Sequence, residues 1–567
     1  MYIDIVPNRN SPPAILLRES IRQGKKIVKR TLANLSSLTL EQAQAIRRIL
    51  KHEELVQPEA HFAVLKSRAH GHVEAVLLTI LKLGLDKLLA SRRCQERDLV
   101  IAMIASRILR PESKLALSRS WENTTLGELL EVEGTDEDTL YAAMDWLYER
   151  QERIEKKLAE RHLQAGGRVL YDLSSSYFEG TKCPLAARGY NRDQKKGKLQ
   201  VNYGLLTDER GCPVSITVFP GNTSDPETLL PQVERLQSTF SLQSVVLVGD
   251  RGMISQKQID ALQGQAGVDW ITALKSGGIR KLMEAEAIQL SLFDERNLFE
   301  LTDPDYPGEK LVVCRNPDLA SRRQHKREAL LQATTEALEK VQGMVARGRL
   351  KTADKIGLRV GRVINQYKMA NHFKLTIEDN HFHFEIDAET VREEAALDGL
   401  YVIRTSLVDE LSAEDAVRHY KTLSQVERAF RSIKTMDLEV RPIHHYQEKR
   451  VRSHLFLCML AYYIKWHMME AWRPLLFADE DQQAKQLRDP VAPAERSAEA
   501  EEKVRSKKRS DGSPVHSFHS LLSNLGTIVR STCQSRDAKA GMPSFTLDTQ
   551  PTSTQQEAFQ LLKTIKM

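Results

Sequence analysis

The chain has 567 residues, which is long enough for several folded domains. Its 41% hydrophobic and 28% charged residues are typical of a soluble globular protein, and its net charge of +6 is only a weak indication of a nucleic-acid partner. The six cysteines form no Cys-x-x-Cys pair, which argues against a zinc ribbon or a disulfide framework. The longest apolar run, 455–464, is too short to cross a bilayer, so we expect a cytoplasmic protein without a membrane partner.

The first 165 residues predict two kinds of structure. Residues 1–40 contain three segments rich in strand-forming residues and are expected to form a small β element: "MYIDIVP", "AILLRES" and "GKKIVKRTLANL". Residues 41–165 carry apolar residues at three- and four-residue spacing, which predicts a helical domain. We interpret this domain as DNA-binding, but a plain helical domain fits the same pattern, and no convincing helix-turn-helix spacing is present.

The following segments predict an α/β fold with an interruption. Residues 166–275 give a strand, a hairpin and then alternating helices and strands, which indicates a mixed sheet with flanking helices. Residues 276–395 are expected to form a partly β insertion. Residues 396–475 return to the core with a strand, a long helix over 412–434 and an apolar helix. Residues 476–567 are expected to be a charged, disordered linker and a C-terminal tail, with one short helix in the tail.

Two acids at strand ends are the first candidates for chemistry. Asp172 interrupts the apolar stretch "VLYDLSSSYF", where it is expected to end the strand, and Asp250 ends the strand "VVLVGD". Taken singly, such an acid often forms a turn or caps a helix. Two acids at the carboxyl ends of strands in one α/β sheet are different, because ligands bind at that edge.

A third acid lies in the segment "HYKTLSQVERAFRSIKTMDLEV". Tyr420, Glu427 and Lys434 are seven residues apart and form one stripe on the predicted helix, with Arg431 one turn beyond Glu427. An exposed helix with a salt bridge explains this stripe equally well. Three carboxylates converging in a dry cleft would repel one another unless divalent cations neutralised them, and Mg²⁺ prefers oxygen ligands. The three acids are therefore expected to share a metal site.

Basic residues cluster in three runs, 22–30, 188–198 and 503–509. The first and third contain no acidic residue, whereas the second contains Asp193. Such runs are often solvated faces, but each also suits contact with a phosphate backbone.

With these motifs the chain resembles the DDE transposases of bacterial insertion sequences, specifically the insertion-sequence-four superfamily. The resemblance covers most of 1–475 and is carried by the two Asp strands, "RGYNRDQKKGKLQV", "ALDGLYVIRTSL" and a Tyr-x2-Arg-x3-Glu-x6-Lys signature. It implies an RNase H-like core with Asp172, Asp250 and Glu427 as catalytic and metal-binding residues. The signature Arg falls at 423, where this chain has Leu423, so an expected phosphate contact is missing.

The resemblance also implies an enzyme that binds terminal inverted repeats, hydrolyses a phosphodiester with two Mg²⁺ (or Mn²⁺) ions and directs the freed 3′-OH at target DNA. A homodimer would hold the two element ends, in the bacterial cytoplasm with the nucleoid. The implied DNA-contacting residues are Tyr420, Lys434, Arg431, Arg251, Lys195, Lys196 and Lys198. The alternatives are a nuclease on the same core, a catalytically weakened or recruited transposase that acts as a DNA-binding protein, and, more distantly, a paired-carboxylate glycosidase.

Overall fold

The computed structural model describes most of the chain, namely residues 1–9, 11–52, 62–193, 195, 197–289, 293, 297–481, 488–492, 495–535 and 544–566. These residues divide into two compact units. The first contains residues 1–69 and 529–550, and the second contains residues 70–528 and 551–567.

The strands and helices are numbered in chain order. The strands are β1 Tyr2–Val6, β2 Ala14–Gln23, β3 Lys26–Asn34, β4 Phe62–Ala69, β5 Arg168–Tyr177, β6 Gln200–Asp208, β7 Pro213–Pro220, β8 Val245–Val248, β9 Val268–Ala273, β10 Leu298–Leu301, β11 Lys310–Arg315, β12 Phe373–Glu378, β13 His381–Ile386, β14 Leu400–Thr405, β15 Val529–Ser535 and β16 Phe545–Asp548. The helices are α1 Leu40–Leu50, α2 Gly71–Lys82, α3 Leu85–Leu89, α4 Gln95–Leu109, α5 Lys114–Arg119, α6 Leu126–Leu130, α7 Glu137–Tyr148, α8 Gln151–His162, α9 Leu229–Ser238, α10 Gln256–Leu262, α11 Ser276–Glu284, α12 Pro317–Ala346, α13 Ala353–Tyr367, α14 Ala388–Ala396, α15 Ala413–Lys421, α16 Leu423–Arg431, α17 Glu448–Ala471, α18 Ala498–Ser506, α19 Phe518–Leu525 and α20 Ser553–Lys563. A π turn occupies Ser432–Met436, and 3-10 turns occupy Trp121–Asn123, Pro226–Thr228, Ala370–His372 and Arg473–Leu475.

In its described residues, the first unit is built from two antiparallel sheets and one helix. The strands β1, β2 and β3 form one sheet, and β4, β15 and β16 form the other. Helix α1 begins at a capping box between Thr39 and Gln42 and packs Ala43 against Ile3 and Ile15. The far half of the β2–β3 hairpin is exposed on both faces. The strands predicted in the first 35 residues are thus confirmed.

Strand β4 lies inside the segment that was predicted to be helical, and for residues 62–69 that prediction is wrong. In the sheet, Ala69 pairs with Val529, 460 positions later in the chain. A partner at that separation leaves no signal in the local sequence pattern. The first unit therefore extends past residue 40, the predicted end of the β element.

The central sheet of the second unit has the strand order β10-β11-β14-β9-β8-β5-β6-β7. The pairs β5–β8 and β8–β9 are parallel, and the other neighbours are antiparallel, which confirms a mixed α/β architecture. The predicted insertion adds β10 and β11 to one end of this sheet. Its helices α12 and α13 pack with β12 and β13 around a separate core that includes Leu338, Val360 and Phe373.

Helix α17 lies at the centre of the second unit. It packs against α4, α7 and β7, and residues 455–464 of it are at most 6% exposed. This burial explains the longest apolar run of the sequence. Within the described ranges, no helix is long and apolar enough to cross a membrane.

The long helix predicted over 412–434 is interrupted. It breaks at Thr422 between α15 and α16, and the π turn follows α16. Tyr420, Glu427 and Lys434 therefore lie on three successive segments rather than on one continuous helix. The seven-residue spacing continues across the break, so the sequence pattern does not reveal it.

Residues 476–567 differ from the predicted linker and tail. They contain α18, α19, β15, β16 and α20, of which only α19 corresponds to a predicted helix. The side chains of Leu521, Leu525, Ala558 and Leu562 are fully buried in the core of the second unit. Charged and small residues dominate the composition of this segment, so its few core-forming residues did not stand out.

Candidate active site

Asp172 and Asp250 reach the same edge of the sheet through strand register. Strands β5 and β8 are parallel, and Leu170 pairs with Val248. Each acid lies two residues beyond that pair. Strand β5 continues past Asp172 to Tyr177 against β6, so the prediction that Asp172 ends its strand is wrong. Strand β8 does end at Val248. Beyond Leu170, β5 therefore no longer pairs with β8, and Asp172 and Asp250 meet at this position.

The electrostatics of Asp172 show that all three predicted acids come together. The pKa of Asp172 is raised to about 7, mainly by burial and also by the negative charges of Asp250 and Glu427. The backbone N–H of Leu173, 2.8 Å from Oδ1, and the nearby Arg192 act in the opposite direction. Asp250 and Glu427 are exposed, so the cleft is open to water rather than dry as expected.

Tyr420, near the end of α15, contacts this group of carboxylates. Its hydroxyl donates to Oδ1 of Asp250 over 3.5 Å. Burial raises the pKa of the phenol, and the charges of Asp250 and Glu427 raise it further, while Arg251 lowers it. The phenol therefore stays protonated at neutral pH and remains a hydrogen-bond donor.

Glu427 lies on α16, which packs against β5. The buried side of α16 contains Leu423, which is 9% exposed, so the position of the missing signature Arg is filled by a core residue. Of the cations close to Leu423 in the sequence, Lys421 donates to the backbone carbonyls of residues 490–492. Arg428 and Arg431 are exposed on α16.

Lys434 is held by a buried acid. Its Nζ lies 2.7 Å from Oδ1 of Asp193 and donates to Oγ of Ser174 on β5 over 3.2 Å. The side chain of Asp193 is fully buried, pairs also with Arg441 and accepts the backbone N–H of Tyr177 at 3.0 Å. This network fixes the π turn that follows α16 against β5.

The other predicted DNA-contacting residues are Arg251 and three lysines of the run 188–198. Arg251 is exposed directly after Asp250. The Nζ of Lys195 lies 5.8 Å from the ring centre of Tyr177, and Lys198 forms an ion pair of 2.9 Å with Glu179. Lys196 lies outside the described residues.

Sequence reasoning missed the role of Asp193 and the pairing of Arg192 with Asp225, whose carboxylate oxygens lie 2.5 and 2.6 Å from the guanidinium. The available signal was that Asp193 is the sole acid of the basic run 188–198. An acid surrounded by cations is the expected partner when those cations are partly removed from water.

A comparison with protein families identifies the second unit's central part. Residues 168–464, more than half of the chain, match the family described as the transposase DDE domain. The chain belongs to the DDE transposase family. In this transposase, residues 3–61 also match the IS1634 family transposase N-terminal domain. DDE transposase domains act in DNA transposition and use divalent metal ions.

Among solved structures, the transposase is similar to a piggyBac transposase synaptic complex with hairpin DNA, determined by cryo-electron microscopy. The two chains are 9% identical with a TM-score of 0.35, and the match covers 80% of this chain and 79% of that chain. No curated protein matches the transposase.

Proposed function

We propose that this transposase cuts DNA at the terminal inverted repeats of its element and joins the freed 3′-OH to target DNA. The observation that carries the proposal is the meeting of Asp172, Asp250 and Glu427 in one open cleft. We also propose an RNase H-like core and membership of the insertion-sequence-four superfamily. The order of the three acids along the chain and the Tyr, Glu and Lys of the signature support this assignment.

The three carboxylates suit divalent cations. They offer hard oxygen ligands, and the repulsion that raises the pKa of Asp172 is relieved when a cation binds. We propose that Asp172, Asp250 and Glu427 hold two Mg²⁺ ions, with Mn²⁺ as a substitute. Ions bound there would activate the attacking oxygen and stabilise the leaving oxygen in an in-line displacement.

The side chains around the carboxylates would hold the site and the DNA backbone. Tyr420 restrains Asp250 through its hydrogen bond. Arg251 and Arg431 are exposed and are proposed to bind phosphate oxygens. Lys434 is proposed to approach DNA from the fixed position that Asp193 gives it, so its charge is partly satisfied before DNA arrives.

We propose that the helices between 71 and 162 recognise the element end and that Lys195, Lys196 and Lys198 contact the backbone near the cleft. The proposed division of the remaining chain is core segments at 166–275 and 396–475 and an insertion at 276–395. A homodimer would hold two element ends at once, in the bacterial cytoplasm with the nucleoid.

The test is cleavage of a labelled duplex that carries the end of the element, with Mg²⁺ or with EDTA. Wild-type protein is compared with Asp250→Asn and with Asp260→Asn, whose exposed acid lies on α10 and serves as the matched control. We expect metal-dependent nicking at the element end in the wild type and in the control variant. The Asp250 variant should bind the duplex without cutting it.

The alternatives predict other products. A nuclease on the same core would cut the duplex but never produce joined strand-transfer products when target DNA is added. A DNA-binding protein descended from a transposase would shift the duplex in a gel and leave it intact with Mg²⁺ or with Mn²⁺. Either result would contradict the proposed function.

A further inference from the structure

Three potential metal ligands meet on the second unit, outside the group of carboxylates. His162 is the last residue of α8, Cys212 lies in the turn between β6 and β7, and His467 lies on α17. One ligand atom from each lies within 4.8 Å of the other two. The three residues come from segments separated by 50 and 255 positions, so no short sequence motif contains them.

One of the distances between ligand atoms is close to that of a zinc site. The Sγ of Cys212 lies 3.8 Å from Nε2 of His467. In a tetrahedral zinc site, bonds of about 2.3 Å to sulfur and 2.0–2.1 Å to nitrogen place these ligand atoms about 3.6 Å apart. The rings of His162 and His467 have centroids 5.7 Å apart. A small movement of one imidazole closes the site.

The neighbouring groups hold the ligands in place. The hydroxyl of Tyr463 lies 3.0 Å from Nε2 of His162, which is the kind of outer contact that orients a metal-binding imidazole. The backbone N–H of Cys212 donates to Asp208 over 2.9 Å, which fixes the turn that carries the thiol.

The two nearby cations, Arg210 and Arg161, each donate to an oxygen acceptor, which offsets part of their charge beside the ligands. Arg210 is paired with Asp208 through contacts of 2.8 and 2.9 Å. Arg161 donates to the carbonyl of Leu83 over 2.8 Å. Because the carboxylate of Asp208 is engaged by Arg210, it is not available as a fourth ligand, and the described residues supply three.

We propose that His162, Cys212 and His467 bind one zinc ion that links the end of α8, the β6–β7 turn and α17. A thiolate with two imidazoles is a borderline-soft ligand set that suits Zn²⁺ and differs from the hard oxygen ligands of the carboxylate cleft. The zinc would stabilise the packing of α17 against the other two elements, at a place distinct from the carboxylate cleft.

The test uses full-length protein that is stripped with a chelator, reloaded with Zn²⁺ or Co²⁺ and separated from free metal. We expect one zinc per chain to be retained, and we expect the cobalt form to show the near-ultraviolet thiolate-to-cobalt charge-transfer band. Carboxylate ligands give no such band, so the signal reports the proposed site and not the acids of the cleft. Reloading with zinc should raise the melting temperature.

Variants locate the ligand. The Cys212→Ser protein should lose the cobalt band and the retained zinc, whereas Cys314→Ser, which changes an equally buried thiol elsewhere, should keep both. The double variant Asp172→Asn/Asp250→Asn should also keep both. Folded wild-type protein that shows no charge-transfer band, or a band that persists in Cys212→Ser, would overturn the proposal. The wild-type spectrum tests for the metal site even if a variant does not fold. The cobalt band and the retained zinc can be measured whether or not the protein cuts DNA.

Discussion

At the scale of single residues, Asp172 links acidity to metal binding. Its folded-state pKa of about 7 lies above its usual value of 3.8, so the metal-free folded protein binds this proton more tightly than the unfolded chain does. The free energy of unfolding should therefore fall as the pH rises from about 4 to about 7. A divalent cation binds the ionised form and should reverse this loss.

The first prediction follows from that coupling. Mg²⁺ should raise the melting temperature more near pH 8 than near pH 5, measured by thermal denaturation with and without EDTA. Asp172→Asn should stabilise the metal-free protein near pH 8 by about 1–3 kcal/mol and abolish the response to Mg²⁺. A response of equal size at both pH values would contradict the assignment of Asp172 as a buried metal ligand.

The second prediction concerns Asp193, whose buried carboxylate serves both Lys434 and Arg441. Asp193→Ala should destabilise the protein by about 3–5 kcal/mol, because two cations lose their buried partner. The exposed pair Lys198–Glu179 provides the control, since Glu179→Ala should cost less than about 1 kcal/mol. Comparable melting temperatures for the two variants would show that Asp193 does not hold the π turn.

The third prediction asks what Leu423 does in place of the signature Arg. Because Leu423 is buried on α16, Leu423→Arg should place a guanidinium in the core and destabilise the protein by about 2–4 kcal/mol. It should not increase DNA cleavage. Leu423→Met, which conserves volume, should cost less than about 1.5 kcal/mol. Faster cleavage by the Arg variant at an unchanged melting temperature would contradict this account.

At the scale of elements, the β2–β3 hairpin combines exposure with positive charge. Its far half is exposed on both faces and contains the basic run 22–30. A two-stranded ribbon of this kind fits the major groove of DNA. We predict that Lys25→Gln/Lys26→Gln weakens binding of the element end and reduces the slope of log affinity against log salt by up to about 2.

The control for the hairpin is Lys275→Gln/Lys281→Gln, which removes two exposed charges around α11. Fluorescence anisotropy at several salt concentrations measures both slopes. Equal slopes for the two variants would show that the hairpin does not contact the phosphate backbone.

Elements whose signal is local could be predicted from the sequence, and elements that depend on distant partners could not. The strands of the central sheet and the helices between 71 and 162 follow from periodicity. Strand β4 depends on a partner 460 positions away, and the break at Thr422 leaves the apolar spacing intact. The same contrast between local signals and distant partners applies to the residues of the site. The motifs predicted three acids, whereas the buried position of Asp193 arises only when the π turn packs on β5.

At the scale of the whole molecule, the last helix completes the core of the second unit. Leu562 on α20 is fully buried. The indole N–H of Trp472, which directly follows α17, donates to the carbonyl of Ala558 over 3.0 Å. Leu562→Ala should therefore destabilise the protein by about 2–5 kcal/mol. The exposed neighbour provides the control, because Lys563→Ala should change the stability by less than about 0.5 kcal/mol. Thermal denaturation compares the two, and similar melting temperatures would mean that α20 is a dispensable tail.

The pairing of β4 with β15 has a consequence during synthesis of the protein. Strand β4 leaves the ribosome long before its partner, because residues 70–528 are translated between them. At a synthesis rate of about 5–20 residues per second, β4 waits for roughly 23–92 s before synthesis of β15 begins. An mRNA that is cut short before codon 529 therefore yields a nascent chain whose first unit never closes, and only chains that are translated nearly to their end carry both units in folded form.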